Sequence, residues 1–357
     1  MKCKKTFKVL GLWLILLLSI LLSGCGATQT IVEETVNPNL TDDFVLSVLD
    51  VGDGAAQIIQ VDGYTMVVDV GETTETEKVR DYLDSLNIDT IDVVIMSHGH
   101  SDHMGGYEAL ADYEIGTGYI SPQIHDTQIY ENAIDLLDEK CDAVIVPAVG
   151  DSFDLGNAKV QFLGPADDYY EDLNDSSLVV RITYGNTSFM LPGDMEGVAA
   201  DQMISAFDSL ATDVFVAAHH GSNNDATNSY TLLRAINPFA VIISSAGAES
   251  EYGFPHKEVL SRIDDIGATL YRTDLLGDII VVSDGENITF NTKGIEPSGE
   301  HSEGEGLAGD VTYIGNVNSK KLHTPDCANL PKEENRVYFD SLDEALSAGY
   351  ELCQSCN

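Results

Sequence analysis

The sequence predicts an α/β fold in which two β-sheets pack face to face with helices on their outer sides, followed by a small separate unit. Three observations predict it. Short segments rich in Val and Ile alternate with helical patterns over residues 42–293. The first strand candidates are joined by tight turns such as Asp62-Gly63, which favours antiparallel pairing, whereas later ones are separated by helices. Such a mixture suits a sheet sandwich with helices outside. A Gly-, Ser- and Glu-rich stretch without periodic apolar positions then sets off the last residues of the chain.

The first 25 residues read as a targeting segment: basic residues, an apolar run from Val9 to Leu22, then Leu22-Ser23-Gly24-Cys25. The run is shorter than the ~20 residues of a spanning helix, and small residues close it, which describes a secretory signal. The ending resembles the lipobox of bacterial lipoproteins, which implies lipidation at Cys25 and export to the outer face of the cell membrane. An uncut signal anchor is the alternative. Residues 26–41 are polar and suit a tether.

Strands are expected at 44–50, 57–61, 65–70, 91–96, 144–147, 160–163, 179–184, 187–191, 214–218, 240–244, 268–271 and 279–282. Helices are expected at 76–86, 125–140, 197–210, 230–236 and 257–266. Residues 294–310 read as a linker, with His301 solvated in it, and 311–357 as a unit small enough to need a metal or disulfides.

Charge narrows the partners. The chain holds 18 basic and 59 acidic side chains, a formal net charge of −41. Four of the basic residues precede residue 9, so loss of the first 25 residues leaves −45. Such a surface repels polyanions, and no Lys/Arg cluster of the kind that grips nucleic acid is present beyond the leader. Transient cleavage of DNA stays open. The six cysteines do not form an evenly spread framework: Cys141 stands alone, read as an inert thiol at a helix end, and three lie in the last 31 residues.

The strongest chemical signal follows the strand expected at 91–96. Ser97-His98-Gly99-His100-Ser101-Asp102-His103 places four potential ligands within six residues. His98 and His100 leave the strand together and can face one cation; Asp102 and His103 enter the next helix and can face a second. Imidazole nitrogen and carboxylate oxygen suit zinc, and also manganese or iron. Gly105 and Gly106 let the helix start approach closely. A surface histidine cluster is the bland alternative. Further strand ends carry Pro192-Gly193-Asp194 and His219-His220-Gly221-Ser222. A carboxylate there can bridge two cations, one histidine can complete the second metal's shell, and the other can act on substrate or leaving group. Two-metal sites polarise a phosphoryl or carbonyl oxygen and supply hydroxide near neutral pH. Neither Gly-x-Ser-x-Gly nor a Gly-x-x-x-x-Gly-Lys loop occurs.

The His-x-His-x-Asp-His run resembles the signature of the metallo-β-lactamase superfamily. More narrowly, residues 43–292 are similar to the extracytoplasmic hydrolase domain of ComEC-like competence proteins. The resemblance rests on Leu49-Asp50-Val51-Gly52-Asp53-Gly54, Val67-Val68-Asp69-Val70-Gly71, Leu173-Asn174-Asp175-Ser176-Ser177-Leu178, Leu191-Pro192-Gly193-Asp194, Ala218-His219-His220-Gly221-Ser222 and Tyr252-Gly253-Phe254-Pro255-His256. It implies an αββα sandwich over 42–293 and two divalent metals, zinc with manganese as the alternative. His98, His100, Asp102, His103, Asp194 and His219 would be ligands, with His219 and His220 open to exchange. Asp102, His220 and His256 would take part in catalysis. Asp69 would orient the histidine loop. Asn174 and Asp175 stand where many members carry another histidine ligand, so the first metal would be weakly held. Departures bear on substrate: the family usually has Gly-Gln-Gly-Asp where this chain has Gly52-Asp53-Gly54-Ala55, and it often has His where Phe254 stands.

The tail, 311–357, resembles the metal-binding domain of the Ada protein. His323, Cys327, Cys353 and Cys356 would hold one structural zinc; a Cys353–Cys356 disulfide is the alternative. The protein partner of this unit is unassigned. The functional expectation is a metal-dependent phosphodiesterase or nuclease-like hydrolase acting at the outer membrane face, with DNA among its candidate substrates. The competing readings are a cell-surface esterase for choline-phosphate or wall and lipid phosphoesters, and a non-catalytic surface lipoprotein.

Overall fold

The computed structural model describes residues 43–297 and, in the tail, 313–323, 327, 330–332, 335–339, 345 and 348–353. The leader, Cys25, the tether, most of the linker and Cys356 lie outside the described residues.

Fifteen strands form two sheets. In chain order they are β1 Phe44–Val48, β2 Ala56–Val61, β3 Tyr64–Val70, β4 Thr90–Met96, β5 Glu114–Ile120, β6 Cys141–Ile145, β7 Ser152–Leu155, β8 Ala158–Gly164, β9 Val179–Tyr184, β10 Thr187–Leu191, β11 Val214–Val216, β12 Ala240–Ile243, β13 Thr269–Arg272, β14 Ile279–Ser283 and β15 Ile288–Phe290. The first sheet runs β15-β14-β1-β2-β3-β4-β5-β6 and the second β13-β12-β11-β10-β9-β8-β7. β2 and β3 form the expected hairpin, with Asp62 at φ 53° and Gly63 at φ 83°, the left-handed pair a two-residue turn requires.

The side-chain alternation of each sheet divides the core into layers. Between the sheets lie Phe44, Leu46, Val48, Ile59, Val160, Phe162, Phe189 and Val216. Outside the first sheet, α1 (Thr76–Ser85), the short α2 (Ser101–Met104) and α3 (Gln128–Lys140) cover Ile58, Val67, Val94 and Met96. On the second sheet, α4 (Gly197–Ala206), α5 (Tyr230–Ile236) and α6 (Lys257–Asp265) cover Val179, Phe215, Val241 and Ile243. The one-turn α7 (Thr273–Leu276) links β13 to β14. Face burial of this kind stabilises by roughly 25 cal/mol per Å² of apolar surface, which is why continuous Val/Ile runs hold both sheet centres. The four layers are the αββα order.

Three strands are additional to those expected: β5, β7 and β15. β5 pairs in parallel with both β4 and β6, yet its sequence, Glu-Ile-Gly-Thr-Gly-Tyr-Ile, carries two glycines. A Cβ on Gly116 would lie 2.5 Å from the carbonyl oxygen of Asp92, so close backbone approach explains that glycine. The strand expected from Val144 begins earlier, so Cys141 opens β6 half-buried, and burial pushes its thiol up to about 11. Helix α3 begins at Gln128 because Thr127 caps it, its hydroxyl accepting from the Tyr130 N–H, which leaves His125 in the preceding loop.

In the tail a third sheet is ordered β18-β16-β17-β19, from β16 Tyr313–Asn316, β17 Lys321–His323, β18 Arg336–Phe339 and β19 Glu351–Leu352. Tyr313, Leu322, Phe339 and Tyr350 form its small core.

Candidate metal centre

The sequence builds the site at the strand ends of both sheets. Strand β4 delivers Ser97 and His98; the loop turns at Gly99 and enters α2, which carries Asp102 and His103. A Cβ on Gly106 would lie 2.1 Å from the Val70 carbonyl oxygen, so the glycine lets this turn sit against the end of β3. Asp69, buried and left-handed at φ 57°, anchors the loop. Its Oδ1 accepts the Ser97 N–H at 2.7 Å, and its Oδ2 accepts the Ser97 hydroxyl and the His103 Nδ1–H, each at 2.7 Å. Ser97 Oγ lies 3.1 Å from His98 Nδ1. Both rings therefore have Nδ1 engaged and Nε2 free for the site. Asp69 thus stands where the sequence placed an orienting residue.

From the second sheet, β10 runs into Pro192-Gly193-Asp194, with Gly193 left-handed at φ 57°. β11 runs into Ala218-His219-His220, where both histidines are left-handed, at φ 49° and 55°. Asn228 fixes this turn: its Oδ1 accepts from the Ala218 N–H, and its Nδ2 donates to the Ala218 and Ser222 carbonyls.

Two ligand groups result, and they share Asp194. One comprises Asp102, His103, Asp194 and His220. Here His103 Nε2 lies 3.0 Å from Asp194 Oδ1 and 3.7 Å from Asp102 Oδ2, and His220 Nε2 lies 3.5 and 3.3 Å from the same two oxygens. Ligands about 2.0–2.2 Å from a tetrahedral ion stand about 3.4 Å apart, which these spacings match. The other group comprises His98, His100 and Asp194, with His98 Nε2 2.9 Å from His100 Nδ1 and 3.9 Å from Asp194 Oδ2.

A cation fits this geometry on a further observation. His103 Nε2 and Asp194 Oδ1 are fully buried and make no aligned hydrogen bond, although only 3.0 Å apart. Buried polar atoms left so are costly, and a shared cation satisfies both. Electrostatics agree. Burial alone would push His103 down, yet the carboxylates of Asp194, Asp69 and Asp102 hold it well above the usual range. Burial would raise Asp194, but His103 and His220 hold it well below. Burial and the neighbouring His103 push His98 well down, so it stays a neutral donor.

Several sequence expectations change. His220, assigned to catalysis, sits inside the four-group cluster, whereas His219, assigned as ligand, lies outside both clusters. Two successive left-handed residues turn the neighbouring rings apart, their centroids 5.9 Å from each other. His219 Nδ1 donates to Glu196 at 3.0 Å and its Nε2 stops 3.8 Å from Asp194 Oδ2. His256 is a brace: its Nδ1 accepts the Asn223 N–H at 2.8 Å, and its ring packs edge-on against Phe254. Asp175 accepts the N–H groups of Glu196 and Ala199, so its carboxylate positions the start of α4. Asn174 lines the same cavity as His219, and its amide lies 3.5 Å from Glu196.

The cavity in front of the clusters measures about 660 Å³ and is lined by His100, Asp102, Asp194, His219 and His220 together with Asp53, Glu72, Glu75, His125, Tyr252 and Phe254. His125 faces His100 edge-on with centroids 5.5 Å apart. The sequence assigned no role to His125 or Glu196. The only available signal was their proximity to expected site segments.

The Metallo-beta-lactamase superfamily model matches residues 49–244. The chain belongs to this superfamily. It is therefore a metal-dependent hydrolase of the metallo-β-lactamase class, and the fold binds divalent metals. Residues 307–357 match the metal binding domain of Ada, a zinc-binding module. Among curated proteins, the chain is 25% identical over 238 residues to competence protein ComA of Neisseria gonorrhoeae, covering 66% of this chain and 32% of that one. It is 27% identical over 206 residues to ComE operon protein 3 of Bacillus subtilis (strain 168), covering 56% and 25%. The chain thus spans a third or less of these ComEC-like relatives. Among solved structures it is similar to the metallo-β-lactamase fold protein YhfI from Bacillus subtilis, at 13% identity and TM-score 0.48 over 68% of this chain and all of that one. It is also similar to a diphosphatase of the PhnP family, at 13% identity and TM-score 0.40 over 64% and 94%.

In the tail, the donor atoms of His323, Cys327 and Cys353 lie within 4.8 Å of one another, with His323 Nδ1 3.3 Å from Cys327 Sγ. Cys353 is a free thiol, which removes the alternative pairing of Cys353 with Cys356. Thiolate sulfur and imidazole nitrogen suit a closed tetrahedral zinc site, and Cys356, the expected fourth ligand, lies outside the described residues.

Proposed function

We propose that the protein is a phosphoesterase, with phosphodiesters as its favoured substrates, exported and held at the outer face of the cell membrane through a lipid on Cys25. The observation that carries the reading is the pair of ligand clusters joined through Asp194. Two such cations, when bound, polarise a phosphoryl oxygen and lower the pKa of water so that it can attack near neutral pH. Zinc fits the four-group cluster by donor type and spacing, and manganese remains the second choice.

The chain's own residues supply the rest. His98, His100, Asp102, His103, Asp194 and His220 would hold the two cations. Asp69 keeps the His103 and Ser97 protons on one carboxylate and so aims Nε2 inward. His219, pinned by Glu196, presents Nε2 to the cavity beside Asp194, where it can contact a phosphoryl oxygen. Phe254 packs edge-on against the His219 ring and screens that side from water.

The test is a phosphoester panel with zinc or manganese on the wild type and on Asp102→Ala. Loss of cation stabilisation worth several kcal/mol predicts a fall of roughly 10³-fold in kcat/KM with folding retained. Absence of turnover by the metal-loaded wild type on every ester would end this reading.

A further inference from the structure

The cavity that serves this site carries a charge pattern of its own. Asp53, Glu72 and Glu75 line it beyond the ligand clusters, and no Lys or Arg lines it. Each carboxylate makes only hydrogen bonds to uncharged groups. Asp53 accepts only the Ala246 N–H, Glu72 accepts the Thr73 N–H and the Ser101 hydroxyl, and Glu75 accepts the Thr74 hydroxyl. Among the described residues none of the three is in an ion pair. Lys78, on the neighbouring helix α1, is committed to Asp50 and Asp278. The same cavity carries an aromatic face. Tyr252 and Phe254 stack at 5.5 Å and 23°; Phe254 is buried, while Tyr252 is 71% exposed and extends the face outward.

Two divalent cations at the clusters would be largely offset by Asp102, Asp194 and the phosphoryl group of a substrate. The three outer carboxylates would then face whatever extends from that phosphoryl group. A polyanion meets repulsion there, and a neutral alcohol gains nothing. A positive group gains from the carboxylates and from the negative face of the aromatic pair.

We infer that this cavity selects phosphoesters bearing an ammonium group beside the phosphoryl group, with Asp53, Glu72, Glu75 and the Tyr252–Phe254 face as its specificity residues. The inference rests on the phosphoesterase reading above. It names the chemistry of a zwitterionic headgroup, whether on a lipid or on a wall polymer.

Two matched esters test it on the full metal-loaded chain: p-nitrophenyl phosphorylcholine and its 3,3-dimethylbutyl analogue, in which carbon replaces the charged nitrogen. The expected result is roughly tenfold higher kcat/KM for the choline ester at low salt, carried by KM and shrinking as salt screens the carboxylates. Asp53→Asn/Glu72→Gln/Glu75→Gln should collapse that ratio towards one, and Tyr252→Ala should lower it by a few-fold. Equal turnover of the two esters, or a ratio unmoved by the triple variant, overturns the inference and leaves the phosphoesterase standing. A second readout needs no turnover: tetramethylammonium added to the metal-free chain should quench or shift tyrosine fluorescence, and the shift should vanish in Tyr252→Ala. If tetramethylammonium binds but neither of these esters nor any ester of the panel is cleaved, the phosphoesterase reading fails separately. Failure of both binding and discrimination removes the ammonium subsite.

Discussion

The two halves of the metal centre differ in how completely the chain encloses them. On one side Asp102, His103, Asp194 and His220 bring four donors together, and His103, Asp194 and His220 are buried. On the other, His98 and His100 share only Asp194, and His100 is half-exposed. Asp69 adds to the asymmetry, since it grips His103 directly and reaches His98 only through Ser97. If cations bind at both groups, the difference predicts tight retention at the first and exchange at the second.

Removing the shared element should have the largest effect. Asp194→Asn should lower the bound metal on both sides and reduce kcat/KM by roughly 10³-fold or more, read by elemental analysis alongside kinetics. Next, His220→Ala and His98→Ala should diverge. The first should release the tightly held equivalent, and the second only the one that a chelator strips first from the wild type. Identical chelator curves for the two variants would show the halves to be equal. Asp69→Asn should cost about 10–100-fold in metal affinity, more on the His103 side, because an orienting carboxylate is lost while the ligands remain. The smallest effect lies outside the clusters. Burial, reinforced by the nearby Glu196 carboxylate, raises Asp175 from 3.8 to about 6. The folded chain therefore holds a proton that the unfolded chain has released, so this group's contribution to stability is greatest below pH 3.8 and is lost as pH rises to about 6. Urea titrations over that interval should show the slope, and Asp175→Asn should flatten it.

Much of the centre was legible because its first four ligands are contiguous and follow an unbroken apolar strand. Asp194 and the His219-His220 pair were legible as strand ends. Which of the two histidines binds was not, because it depends on left-handed backbone fixed by Asn228, which lies further along the chain. His125 was assigned to a helix, but the Thr127 cap leaves it in the loop at the cavity rim. Asp53, Glu72 and Glu75 come from separate positions in two loops, and only the fold makes them one surface. Strand β5 escaped because its glycines answer a neighbouring backbone, a demand that local pattern does not report.

The paired histidines after β11 carry one more consequence. Each residue pays roughly 1–2 kcal/mol for standing in a conformation that suits glycine. A screen for thermal tolerance would therefore be expected to enrich glycine at His219 first, since that imidazole lies outside both ligand clusters. Such an isolate would be sturdier yet poorer at its task, so selection by heat alone would steer this enzyme away from its own chemistry.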